Sequence, residues 1–143
     1  MDYDSYLSPF SLRFFFKELL IITFSYNLQL ILFLVSACIS VPYFIVATNQ
    51  QSQIVGFSSI THQGYLHSMF VHKDFQGKGI ATILLNEIER YATTRGIMRI
   101  TSEVSLTARP FFEKRGYIVE VEQKRKANQL YLTNFWMEKR LAE

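Results

Sequence analysis

Gln76-Gly77-Lys78-Gly79-Ile80-Ala81 is the stretch whose reading decides the fold. An apolar run, Tyr65-Leu66-His67-Ser68-Met69-Phe70-Val71, precedes it, and an amphipathic pattern begins at Ile80. A strand, a short glycine-bearing turn and a helix N-terminus make an anion site, because free backbone N–H groups point outward and the helix dipole favours negative charge. Glycine lets a phosphate approach the backbone with no Cβ in the way, and Lys78 adds a positive charge. The ligand implied is a pyrophosphate. Two common phosphate loops do not fit. The G-x-x-x-x-G-K-[ST] frame is absent, and G-x-G-x-x-G fails because Thr82 stands where its last glycine belongs.

The spacing that does fit is Q-x-x-G-x-A, carried by Gln76, Gly79 and Ala81. It resembles the acetyl-CoA pyrophosphate loop of the GCN5-related N-acetyltransferase (GNAT) superfamily. A second stretch, Ser105-Leu106-Thr107-Ala108-Arg109-Pro110-Phe111-Phe112-Glu113-Lys114-Arg115-Gly116-Tyr117, resembles that superfamily's N-x-x-A-x-x-[FL]-Y-E-K-x-G-F segment. Ala108, Phe111 and Phe112 lie at helical spacing, and Gly116 is placed to end a short helix. The resemblance covers roughly residues 41 to 143, including the ending Tyr131 to Lys139.

Composition sets the bounds. A chain of 143 residues is large enough for one respectable core. Its apolar and aromatic content excludes disorder. The net charge of +3 is mild, and the basic run Lys124-Arg125-Lys126 reads as a hairpin tip that also serves to steer anionic CoA; no nucleic-acid partner is expected. Cys38 is the only cysteine and reads as a buried, inert thiol. His62, His67 and His72 share no ligand-like spacing with a cysteine or carboxylate, so no metal is expected.

Periodicity predicts strands over Val41 to Ala47, Ile54 to Ile60 and Tyr65 to Val71. A helix with Ile80, Leu84, Ile88, Tyr91 and Ala92 on one face follows and closes at Gly96. Then come a strand over Ile97 to Val104 and a hairpin of Tyr117 to Glu122 with Leu130 to Met137. This order implies an α/β (α+β) domain with a mixed, mostly antiparallel sheet flanked by helices. The resemblance names it the GNAT acyl-CoA N-acyltransferase fold.

The division expected is an atypical apolar segment, residues 1–40, and a GNAT domain, residues 41–143. Between Glu18 and Lys73 there is no Asp, Glu, Lys or Arg. Three readings of the segment are open. It is a first strand and helix pair buried in the fold or in a homodimer; or residues 19–40 anchor the chain in a membrane; or it is a degenerate replacement for the family's usual start. Arg13 and Lys17 would place the N-terminus in the cytoplasm and export the rest, which suits an acetyl-CoA enzyme poorly. Asp2, Asp4 and the lack of a small-residue cleavage site speak against a secretory signal. A cytoplasmic location is expected, with membrane association as the alternative.

The resemblance implies acetyl transfer from acetyl-CoA to an amine by direct attack. Backbone N–H groups at Phe70 and Val71 would hold the acetyl carbonyl. Gln76, Gly77, Lys78, Gly79, Ile80 and Ala81 would hold the pyrophosphate. Ser105, where the family usually has Asn, would bond the pantetheine arm, with Ala108 and Phe111 beside it. Phe112 stands where the family most often has Tyr and has no proton for the leaving thiolate; Tyr117 or water would substitute. Glu103 and His67 are the candidates to accept the amine's proton. Glu103 reads equally as a strand-end carboxylate paired with Arg or Lys, and His67 as an ordinary strand histidine. A non-catalytic acyl-CoA-binding module and a membrane-tethered interaction protein are the alternative functions.

Overall fold

The computed structural model describes residues 11–14 and 43–142. Cys38 and the apolar stretch 19–40 lie outside the described residues. Among the described residues, no helix is long and apolar enough to cross a membrane. The chain divides into two compact units, one built from residues 11–14, 43–60 and 68–88 and the other from 61–67 and 89–142.

The first unit centres on an antiparallel sheet with strand order β1-β2-β3-β4: β1 (Ser11–Phe14), β2 (Tyr43–Thr48), β3 (Ile54–Ile60) and β4 (Leu66–Val71). β1 pairs with β2 from Ser11↔Thr48 to Phe14↔Ile45, so part of the 1–40 segment belongs to this sheet. The turn from β2 to β3 is set by Asn49, whose Oδ1 accepts the N–H groups of Gln51 (3.0 Å) and Gln53 (2.9 Å). Helix α1 (Ile80–Thr94) follows β4. Ile80, Leu84, Leu85, Ile88 and Ala92 are buried along one face, as the spacing predicts.

Gly56 governs how closely that helix approaches. A Cβ there would sit 2.8 Å from the Phe70 carbonyl oxygen, 3.1 Å from Ile80 and 3.2 Å from Leu84. Tyr43 adds a polar tie, its hydroxyl donating to Glu87 on α1 at 2.6 Å. Phe44, Phe57 and Phe70 form a ring ladder across β2, β3 and β4, with centroids 5.7 and 5.4 Å apart.

The second unit holds β5 (Arg99–Ser105), α2 (Arg109–Lys114), β6 (Ile118–Ala127) and β7 (Leu130–Arg140), in a sheet ordered β5-β7-β6. Residues 61–67 join it through a parallel bridge, Tyr65↔Thr101. The Gly64 carbonyl accepts Thr101 N–H at 2.9 Å, and Ser102 Oγ donates to Leu66 O at 3.0 Å. Gly64 has φ +87°, and a Cβ there would lie 2.2 Å from the Arg99 carbonyl oxygen, so only glycine fits this crossing.

Both helices end as their glycines predict. Gly96 N–H bonds Thr93 O and Ile97 N–H bonds Ala92 O; Gly116 N–H bonds Glu113 O and Tyr117 N–H bonds Phe112 O. This paired pattern around a positive-φ glycine is the Schellman motif. One expectation is corrected. Lys124-Arg125-Lys126 is not the hairpin tip but lies inside β6, opposite Thr133, Leu132 and Tyr131. The turn falls at Asn128, which takes the positive φ of 58° that asparagine tolerates.

Candidate active site

In the first unit, β4 runs through a short 3-10 turn (Lys73–Phe75) into α1. His72 caps that turn, its Nδ1 accepting the Asp74 N–H at 3.2 Å, while its own N–H bonds Val55 O at 2.8 Å. Backbone φ is −66° at Gln76, then positive at Gly77 (+73°) and Gly79 (+83°). Such alternation turns successive N–H groups toward one side and forms an anion-binding concavity. A Cβ added at Gly77 or Gly79 would meet nothing within 4 Å, so the loop faces open space. Gly79 O accepts the first helical bond, from Ile83 N–H at 3.1 Å. Gly79 therefore caps α1 with no side chain, and the first turn carries no acidic residue to offset the helix dipole. Lys78 is not a free charge: its ammonium rests 5.2 Å from the Phe75 ring centroid. Ile80 is buried and anchors the helix start; Ala81 is half-buried.

Phe70 is 45% exposed at the end of β4, next to half-buried Val71. The strand's exposed positions are His67 and Phe70, three apart, so the side-chain alternation changes phase within β4. The Gln76 side-chain amide reaches back toward Val71 O at 3.4 Å.

In the second unit, Ser105 is exposed at the end of β5, and its Oγ accepts Ala108 N–H at 3.2 Å. Ala108 and Phe111 are half-buried at the start of α2. Phe112 is only 5% exposed and packs edge-on against Phe111 and Tyr117, with centroids 5.4 and 5.1 Å away. Tyr117 is more deeply set, 2% exposed, and its hydroxyl donates to Glu89 at 3.2 Å. Burial, then the neighbouring Glu89 charge, pushes this phenol far above its ordinary range. Lys139 Nζ holds both Glu89 oxygens at 2.9 Å. A phenol so buried, with its proton already committed to a carboxylate, is placed to tie α1 to the sheet; a substitute acid would need to reach a leaving group. In this arrangement the Tyr117 hydroxyl is directed at Glu89.

Glu103 lies on the other side of this sheet. Cross-strand register puts Thr101, Glu103 and Ser105 on one face with Glu138, Trp136 and Asn134, while Ser102 and Val104 share the opposite, buried face with Met137 and Phe135. Arg125 of β6 pairs with the Glu103 carboxylate, and Asn134 Nδ2 donates to it at 3.4 Å. The paired carboxylate foreseen as one reading of Glu103 is what the fold contains, with the side chain still 26% exposed. Tyr65 stacks on Trp136 at 5.7 Å, and His67 meets Tyr65 edge-on at 6.1 Å. Burial, with Glu103 nearby, raises the Tyr65 hydroxyl above its usual range, partly offset by Arg125.

Tyr65, Asn134 and Trp136 were not singled out from the sequence, and Arg125 entered only within the basic run. Their signal is a register: Glu103 stands opposite Trp136, and Gln123 opposite Asn134. Such non-local pairing leaves no mark in either strand alone.

A family model described as the acetyltransferase (GNAT) domain matches residues 37–141. The uncharacterized N-acetyltransferase YafP of Escherichia coli (strain K12) is 32% identical over 87 residues, covering 60% of this chain and 53% of YafP, so the chain spans about half the length of this curated relative. Among solved structures, the GCN5-related N-acetyltransferase "Aminotransferase, Class-II" from Rhodopseudomonas palustris superposes with a TM-score of 0.70 at 25% identity, covering 94% of this chain and 96% of that one. The fold also matches yncA from Salmonella typhimurium, solved with its cofactor acetyl-CoA, with a TM-score of 0.71 at 16% identity over 95% and 96% of the two chains. With its antiparallel sheets, flanking helices and two family motifs in order, the chain belongs to the GNAT acetyltransferase family, a family of acyltransferases.

Proposed function

We propose that the protein transfers an acetyl group from acetyl-CoA to an amine, residues 41–143 forming the catalytic domain. The observation that carries this reading is the loop at Gly77 and Gly79, with positive φ and open space at both, leading into an uncompensated helix N-terminus. Those features fit a pyrophosphate. Acetyl-CoA supplies an activated thioester; the chain supplies position and charge. Gln76 through Ala81 receive the diphosphate, and the N–H groups at Phe70 and Val71 receive the acetyl oxygen. By the resemblance, Ser105, Ala108 and Phe111 serve the pantetheine arm.

The acceptor amine is assigned to the face bearing Glu103. Its proton passes to Glu103, which Arg125 and Asn134 hold in one orientation. His67, exposed on β4, is the second candidate base. The stacked Tyr65 and Trp136 rings offer an apolar wall suited to a cationic or apolar acceptor. Phe112 donates no proton, so the thiolate leaves unaided or to water; a thiol of pKa near 8.5 is a tolerable leaving group.

Calorimetric titration with acetyl-CoA is the test, using wild type, Gly79→Ala and Gly79→Glu. The variants share the backbone strain and differ in charge. Binding kept in the first and lost in the second supports the loop as the diphosphate site. No binding to folded wild type would overturn the proposal. Phe112 favours one second reading, an acyl-CoA-binding module without turnover. Release of free thiol with any amine in a panel would exclude it. Cytoplasmic residence goes with the enzyme reading, and a detergent requirement on fractionation would oppose it.

A further inference from the structure

The outer edge of the second sheet carries a charge pattern that the proposed reaction does not use. β6 is the terminal strand of the order β5-β7-β6, ten residues long, so one of its edges has no neighbour among the described residues. Along it stand Glu120, Glu122, Lys124 and Lys126, all exposed. Among the described residues none of the four has an ion-pair partner. Glu122, Lys124 and Lys126 stand opposite Phe135, Thr133 and Tyr131 in regular register, so they share one face. Both acids precede both bases, with Gln123 at the centre.

We propose that β6 is a self-complementary docking edge, and that a second copy of this chain pairs with it antiparallel about a two-fold axis through Gln123. Reversing the strand about that point sets Glu122 opposite Lys124 of the other copy, twice by symmetry, and brings Glu120, at the irregularity between Val119 and Val121, near Lys126. Opposite charges directly across an antiparallel ladder attract, and the free N–H and C=O groups of an edge strand supply the ladder. Shifting the pairing by two residues either way would set Glu122 against Glu122 or Lys124 against Lys124, which repel. The inner Glu122–Lys124 pairs lie clear of the irregularity between Val119 and Val121 and contribute most. Val121, 51% exposed, would then lie beside the aliphatic stem of Arg125 of the second copy. Arg125, which pairs with Glu103, belongs to this strand, and Asn134 lies opposite Gln123, so the variants below change only Glu120, Glu122, Lys124 and Lys126.

The test is sedimentation velocity over a concentration series at low and high salt. Wild type is expected to show a dimer that weakens as salt rises. An all-acidic edge (Lys124→Glu with Lys126→Glu) and an all-basic edge (Glu120→Lys with Glu122→Lys) should each raise the dimer dissociation constant about tenfold or more. An equimolar mixture of the two should form a heterodimer. All four side chains are exposed, and circular dichroism checks that each variant folds. The proposal is overturned if wild type stays monomeric throughout, because the charges and the bulge then serve only to protect a bare edge. It is equally overturned if both variants dimerise as wild type does, or if the mixture fails to pair.

Discussion

Between Val71 and Ala81 the chain presents backbone, whereas around Glu103 it presents side chains. The loop owes its character to φ values at Gly77 and Gly79 and to amides at the start of α1. The Glu103 face owes its character to groups from four stretches of chain: Tyr65 and His67, Glu103, Arg125, and Asn134 with Trp136. A backbone site needs a few consecutive residues of the right type. A side-chain site needs strands far apart in sequence to meet in one register. The first tolerates changes that keep local geometry; the second depends on every partner.

That contrast can be broken first at Glu103. Glu103→Gln keeps the shape and removes the base, so kcat should fall about 10²- to 10⁴-fold while acetyl-CoA binding stays level. Steady-state kinetics beside calorimetry read both quantities, and an unchanged kcat would return the role to His67. At the loop the effect should have the opposite signature: Gly79→Glu should weaken acetyl-CoA binding about 100-fold, because it sets a carboxylate against the diphosphate. Equal losses in Gly79→Ala would mean that strain, not charge, governs the site.

Two further changes concern the scaffold beneath each region. Gly56→Ala drives a methyl group into Phe70 O and the start of α1. We expect about 1–3 kcal/mol of lost stability in urea melts, from overpacking, and weaker acetyl-CoA binding as β4 and α1 part. Tyr117→Phe removes the hydroxyl held by Glu89 and should cost about 1 kcal/mol with little change in kcat. A large fall in kcat would make Tyr117 the proton donor.

The smallest effect is a pH dependence. The Tyr117 phenol is raised in the folded state, so its contribution is complete below the unfolded value and is lost as pH climbs toward the folded one. Wild-type stability should therefore decline above pH of about 10, where the unfolded phenol ionises. Tyr117→Phe should flatten that decline, and parallel slopes for the two proteins would remove Tyr117 from the account.

The legible parts of the sequence were the local ones. Ile54–Ile60 forms the strand its composition predicts, and α1 and α2 stop at Gly96 and Gly116. Periodicity and glycine chemistry act over a few residues, so they can be read directly. The basic run Lys124-Arg125-Lys126 misled because charge indicates exposure, not a turn, and an edge strand is exposed too. The Tyr117–Glu89 bond was not legible because the sequence around Tyr117 carries no trace of Glu89, a residue contributed by another element.

By itself the sequence determined the order of elements, the glycine turns and the two motifs that mark the family, because each is a property of neighbouring residues. Only the tertiary structure decided that Glu103 is held by Arg125 and Asn134, that Trp136 stacks on Tyr65, and that Tyr117 is bound to Glu89. Those pairings depend on strand order and register. Both are set when many weak contacts are satisfied together, and no single segment records the outcome.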